Sequence, residues 1–113
     1  MTAKSLLDMA INLLGYAYND DLNRPALAYI NQVCTDLSLA GGIELKEVES
    51  LTDKLTLPEW VLRDVAVYGL AMWIALYRGD GERNQFFSQM YSMKRQKMTH
   101  TSIRADVLPT TEG

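Results

Sequence analysis

The chain has one cysteine and one histidine among its 113 residues. Cys34 alone cannot close an internal disulfide, so the fold rests on a packed core rather than on covalent staples. The same scarcity removes most catalytic and metal-binding chemistry. A nucleophilic Cys34 needs a base within reach, and His100 is the only imidazole. Read as a lone apolar-face thiol, Cys34 is a small core residue. One His, one Cys and the pair Asp20 and Asp21 do not make a zinc or calcium set, and no cofactor is expected. Long apolar runs are missing too. A membrane span needs roughly 20 apolar residues, whereas the longest candidate, Val65 to Tyr77, is shorter and carries Gly69. Asp8 interrupts the Leu6-Leu7 run where a signal peptide would stay apolar, so no leader is expected.

Neither charge sign dominates. Eleven Lys and Arg face fourteen Asp and Glu, a formal net charge of -3, which is of the wrong sign for a domain devoted to gripping phosphates. What is present is 48% hydrophobic and 22% charged, the composition of an ordinary globular domain, which excludes whole-chain disorder. The length suits one domain.

Hydrophobic period and punctuation divide the chain into helices. Leu6, Leu7, Ala10, Leu13, Leu14 and Ala17 follow a 3.6-residue repeat, predicting a helix over 4–15 that starts with a Ser5/Asp8 capping pair and ends at Gly15. The polar stretch 16–23 predicts a loop. Pro25 presets the first turn of a second helix over 24–39, capped by Asn23 or Arg24, with Ala26, Tyr29, Ile30, Val33 and Leu37 as its apolar stripe. Its opposite face carries Asn31, Thr35 and Ser38, and the Gly41-Gly42 pair offers a left-handed stop. Residues 40–57 lose the helical period; Ile43, Leu45 and Val48 alternate with charges, and without a visible partner strand this is an extended loop.

Pro58 and Glu59 open a third helix over 58–78, apolar around most of its circumference. Three other helices and a loop are too few to cover it. Trp60, Met72, Trp73 and Leu76 are therefore candidate interface residues. Arg78-Gly79-Asp80 reads as a cation for the helix end, a permissive glycine and an N-cap acid. A fourth helix over 80–97 follows, with Phe86, Met90 and Met93 on one stripe, Phe87 and Tyr91 beside it, and Asn84, Gln85, Ser88 and Gln89 facing away. The expected fold is all-α, a single domain over 1–97, with 98–113 as a flexible C-terminal tail.

Other chemistry is weak. Gly79-Asp80-Gly81 lacks the spacing of a phosphate loop. Glu44, Glu47, Glu49 and Asp53 are interleaved with Lys46 and Lys54, as on a solvated surface. Lys94, Arg95 and Lys97 form the one basic cluster, which suits a helix C-terminus and also a phosphate-facing role.

The stretch Leu57-Pro58-Glu59-Trp60-Val61-Leu62, then Ala66-Val67-Tyr68-Gly69-Leu70-Ala71, the Arg78-Gly79-Asp80 break and Phe86 to Arg95 resemble the small helical head-tail connector proteins of tailed phages and prophages. The order of helices, loop, proline-started helix and variable tail matches as well, over about residues 4–97. The resemblance implies an adaptor subunit, not an enzyme, acting in the host cytoplasm during assembly and then in the virion neck. Several copies form a homo-oligomeric ring under the portal protein, meet a downstream neck or tail protein, and surround passing double-stranded DNA, with no membrane involved. It also implies that Ile103, Arg104, Val107 and Leu108 in the tail dock on the portal and that Lys94, Arg95 and Lys97 face DNA. Two other readings stay open: a tail-assembly chaperone or similar helical interaction module, and a small helix-turn-helix DNA-binding protein using the polar face at Asn84, Gln85, Ser88 and Gln89.

Overall fold

A computed structural model describes residues 1–99, and among them the fold is all-α. Four helices form it: α1 (Ala3–Leu14), α2 (Asn23–Gly41), α3 (Glu59–Tyr77) and α4 (Gly81–Lys97). The long α3 is the hub, packing against α1, α2 and α4. Its Leu70, Ala71, Ile74 and Ala75 are fully buried beside Leu6, Leu7, Ile30 and Leu37. By length and composition α3 is apolar enough to cross a membrane, but more than half of that stretch is buried inside the bundle.

The boundaries show which local signals act. Gly15 and Gly79 adopt left-handed φ values of 74° and 72°, ending α1 and α3 at low steric cost. Asp80 caps α4 by accepting from the Arg83 N–H at 3.1 Å. Several details depart from the sequence reading. Thr2, not Ser5, caps α1, and Ser5 is the donor at 3.1 Å. The second helix runs on to Gly41, with Gly42 as its left-handed cap, and it grows out of a 3-10 turn at Asp20–Leu22. Within α3, Leu62–Ala66 forms a π turn, the Val67 N–H reaching back to the Leu62 carbonyl. Met98, grouped with the tail by its sequence, is only 3% exposed and joins the core.

The extended loop is held from two sides. Asn31 on α2 donates to the Val48 carbonyl at 2.8 Å and accepts from the Val48 N–H at 2.9 Å. Ser38 donates to the Ile43 carbonyl. The supposed outward face of α2 is thus the loop's anchor. The other side is the start of the chain: the Ala3 and Lys4 N–H groups donate to the Asp53 and Leu51 carbonyls at 3.0 and 2.9 Å, and Leu55 donates to Met1 at 2.9 Å. The loop does find an extended partner, although only as one antiparallel bridge between Thr2 and Lys54.

Replacing Asn31 by Ala strands both Val48 backbone groups beside a half-buried helix face. The expected cost is about 1–3 kcal/mol of stability, read by urea titration, together with faster amide exchange at Val48. Unchanged protection at Val48 would show that the loop is held without Asn31.

Candidate interaction surfaces

With the core closed, several large apolar side chains remain outside it. Leu39 at the end of α2 is 79% exposed, Leu76 on α3 55%, and Phe86 and Met93 on α4 55% and 56%. Trp60, Tyr77, Tyr18 and Leu13 are also exposed. The sequence-derived interface splits accordingly. Trp60 and Leu76 are open, at opposite ends of α3. Met72 and Trp73 are half-buried against the core, Trp73 stacking on Tyr29 of α2 at 5.6 Å between ring centroids. That half of the patch is largely used within the chain.

On α4 the structure selects between the two adjacent apolar stripes. Phe87 is buried and Tyr91 half-buried, so these residues, not Phe86 and Met93, face the core. Asn84 turns inward too and donates to the Met72 carbonyl at 3.0 Å. Phe86 meets Phe87 edge-on at 5.1 Å, and Phe87 meets Tyr68 at 6.0 Å, so an aromatic cluster runs from exposed Phe86 through buried Phe87 to Tyr68 of α3.

The basic cluster has intramolecular partners. Lys94 lies 4.6 Å above the Tyr68 ring. Arg95 donates to both Asp36 carboxylate oxygens, at 2.8 and 3.2 Å, and Tyr91 donates to the same group at 2.6 Å. Lys97 is exposed in the last turn of α4. The charge of Arg95 is therefore matched by α2, which weakens its case as a DNA-facing group. The tail residues Ile103, Arg104, Val107 and Leu108, and His100, lie outside the described residues.

Burial opposes the charged form of Asp36, but the bonds from Arg95 and Tyr91 outweigh it and hold the carboxyl below its ordinary value of 3.8. A depressed carboxylate contributes its stability above the unfolded pKa and loses it as pH falls through the folded one. The loss therefore begins near pH 4 and continues below it. Because both partners are substantially exposed, the ion pair contributes about 0.2–1 kcal/mol after screening. Asp36→Asn should lower stability slightly at pH 7 and flatten the acid limb of a stability-against-pH curve. An acid limb identical to wild type would contradict this assignment.

A second polar knot closes the far end of the bundle. Tyr16 donates to Asp80 at 2.6 Å, Arg83 donates to the same carboxylate at 3.1 Å, and Arg78 makes two bonds to Asp21 at 3.0 and 3.1 Å. Burial and the Asp80 bond push the Tyr16 phenol up to about 12. The adjoining open groove, about 540 Å³ and lined by Tyr16, Tyr18, Asn19, Arg78 and Asp80 among others, has both charged groups engaged, Arg78 by Asp21 and Asp80 by Arg83. Burial also raises the Cys34 thiol to about 12, which keeps it protonated and poorly nucleophilic. Among the described residues, no group of three His, Cys, Asp or Glu side chains is placed to hold a metal ion.

Among the described residues the geometry presents exposed apolar side chains at the ends of α2 and α3 and along α4. No protein-family model, curated protein or solved structure matches the chain.

Proposed function

We propose that this chain is a structural head-tail connector subunit of a tailed phage or prophage, an adaptor that joins the portal to a downstream neck or tail protein and surrounds the DNA passage. One observation carries the reading: Trp60 and Leu76 are exposed at the two ends of α3, roughly 24 Å apart along the helix. A closed ring needs a heterologous contact, in which one patch of a copy meets a different patch of its neighbour. Two separated apolar patches on one rigid helix supply that requirement. The four-helix order with its proline-started α3 supports the same reading, as does the small net charge, since a DNA passage calls for weak attraction rather than a tight grip.

The DNA-reading alternative finds less support. Asn84 is bonded to the Met72 carbonyl and Arg83 to Asp80, so the start of the α4 polar face is occupied within the chain. A chaperone remains distinguishable by partner. The test is to mix the purified chain with the portal protein encoded beside it and inspect the complex by electron microscopy. Rings on the portal, lost in a Trp60→Glu/Leu76→Glu double variant that still melts cooperatively, are the expected result. Binding to a tail protein but not to the portal would replace this reading with the chaperone.

A further inference from the structure

The outer face of α4 carries Glu82, Phe86, Met90, Met93 and Lys97 at i, i+4, i+8, i+11 and i+15, which is one continuous stripe of a helix. Phe86 and Met93 are exposed, and Met90 is half-buried between them. On one flank of α4, Tyr91 and Arg95 are tied to Asp36 of α2. On the other, Arg83 lies over the Tyr16 ring just beyond α1, and Lys94 lies over Tyr68. Met90 stands between Arg83 and Lys94, so the stripe opens toward this second flank. There, Met9, Leu13, Val67 and Tyr68 line a groove of about 290 Å³ between α1 and α3.

The stripe is self-complementary when reversed. Laid antiparallel on itself, it sets Phe86 against Met93 in both directions, Met90 near the midpoint, and Glu82 against Lys97 at both ends. The two helix dipoles then oppose, with each acidic first turn at Glu82 beside the mate's basic last turn at Lys97. We propose that the α4 stripe is a two-fold docking surface for a second copy of this chain, with each α4 lying beside its mate and edging over the mate's α1–α3 groove. The occupant follows from this charge and shape palindrome: an unrelated helix has no reason to match both halves.

Area sets the strength. One helix of 17 residues spans about 25 Å, which covers less than the roughly 800 Å² per partner of a tight complex. The dimer is accordingly weak, micromolar or weaker, and reversible. It closes at two copies and needs no portal, so it stands independently of the adaptor reading.

Sedimentation velocity of the full chain, from micromolar to near-millimolar concentration, reads the association directly. A monomer–dimer equilibrium is expected. Phe86→Glu and Met93→Glu, both at open positions, should each weaken it about tenfold or more while leaving the helical melt unchanged. Glu82→Lys should weaken it, and the exchanged pair Glu82→Lys/Lys97→Glu should restore it, an effect that only antiparallel pairing gives. Oxidised Met90→Cys should yield a covalent dimer, and Ser92→Cys on another face should not. A monomer at every concentration, a dimer indifferent to the stripe variants, or a charge exchange without rescue would each overturn the proposal. Spontaneous rings in place of dimers would overturn the pairing while supporting the adaptor. Dimers that ignore the portal would do the reverse.

Discussion

Ile74→Ala should remove a large part of the fold's stability, whereas Leu76→Ala, two residues further along the same helix, should leave it almost untouched. Ile74 is fully buried where α3 meets the core, so truncation removes apolar contacts and leaves a cavity that rigid neighbours fill poorly, at a cost of about 2–5 kcal/mol. Leu76 is more than half exposed, and its truncation should stay within about 0.5 kcal/mol of wild type. Guanidinium titrations of both variants test the assignment of faces. Equal losses would mean that α3 is rotated from the orientation described above. The variants also separate folding from assembly, because Leu76→Ala should weaken the proposed ring without loosening the subunit.

The second large effect concerns a glycine. Gly69 lies inside α3, and Ala there would ordinarily favour the helix by about 1 kcal/mol. Here a Cβ would lie 2.8 Å from Tyr91 Cε1 and 3.0 Å from Val33 Cγ1. The Tyr91 ring cannot swing away freely, since its hydroxyl is bonded to Asp36. Overpacking should therefore win, with Gly69→Ala destabilised by about 1–3 kcal/mol and Gly69→Val by more. Gly81, which has nothing within 4 Å of its Cβ position, is the internal control; Gly81→Ala should gain about 0.4–1 kcal/mol. A Gly69→Ala protein at least as stable as wild type in urea would disprove the close approach of α3 and α4.

How much of this was legible in the sequence depended on range. Pro58, Gly15, Gly42 and Asp80 act on their own turn, and the helices begin or end at or next to them, whereas α2 starts at Asn23, ahead of Pro25, and neither Asn23 nor Arg24 caps it because the preceding 3-10 turn runs straight into the helix. The loop was legible only as a loss of period, because its anchors, Asn31 and the Ala3 and Lys4 amides, lie far away in the chain. The core-facing side of α4 is not fixed by the sequence, for a different reason. Phe86, Met90 and Met93 form as good a stripe as Phe87 and Tyr91, and hydrophobicity alone does not say which of two apolar faces turns inward. Tyr91 faces in because Gly69 leaves room for its ring and Asp36 accepts its hydroxyl. For the candidate surfaces, the apolar excess of α3 was visible, but the Trp73–Tyr29 stack that uses part of it was not.

The carbonyls that meet the first turn of α1 belong to Leu51 and Asp53, and this has a consequence for biosynthesis. A helix the length of α1 is marginal on its own in water. At ribosomal rates of about 5–20 residues per second, the nascent α1 waits roughly 2–8 s before its loop partner is even polymerised, and longer for the α3 surface it must cover. Through that interval its Leu6, Leu7 and Leu14 side has no core to bury against. The α3–α4 hairpin, by contrast, has its two arms made in immediate succession. Folding should thus crystallise at the carboxyl side of the chain and recruit the amino-terminal helix last, against the order of synthesis.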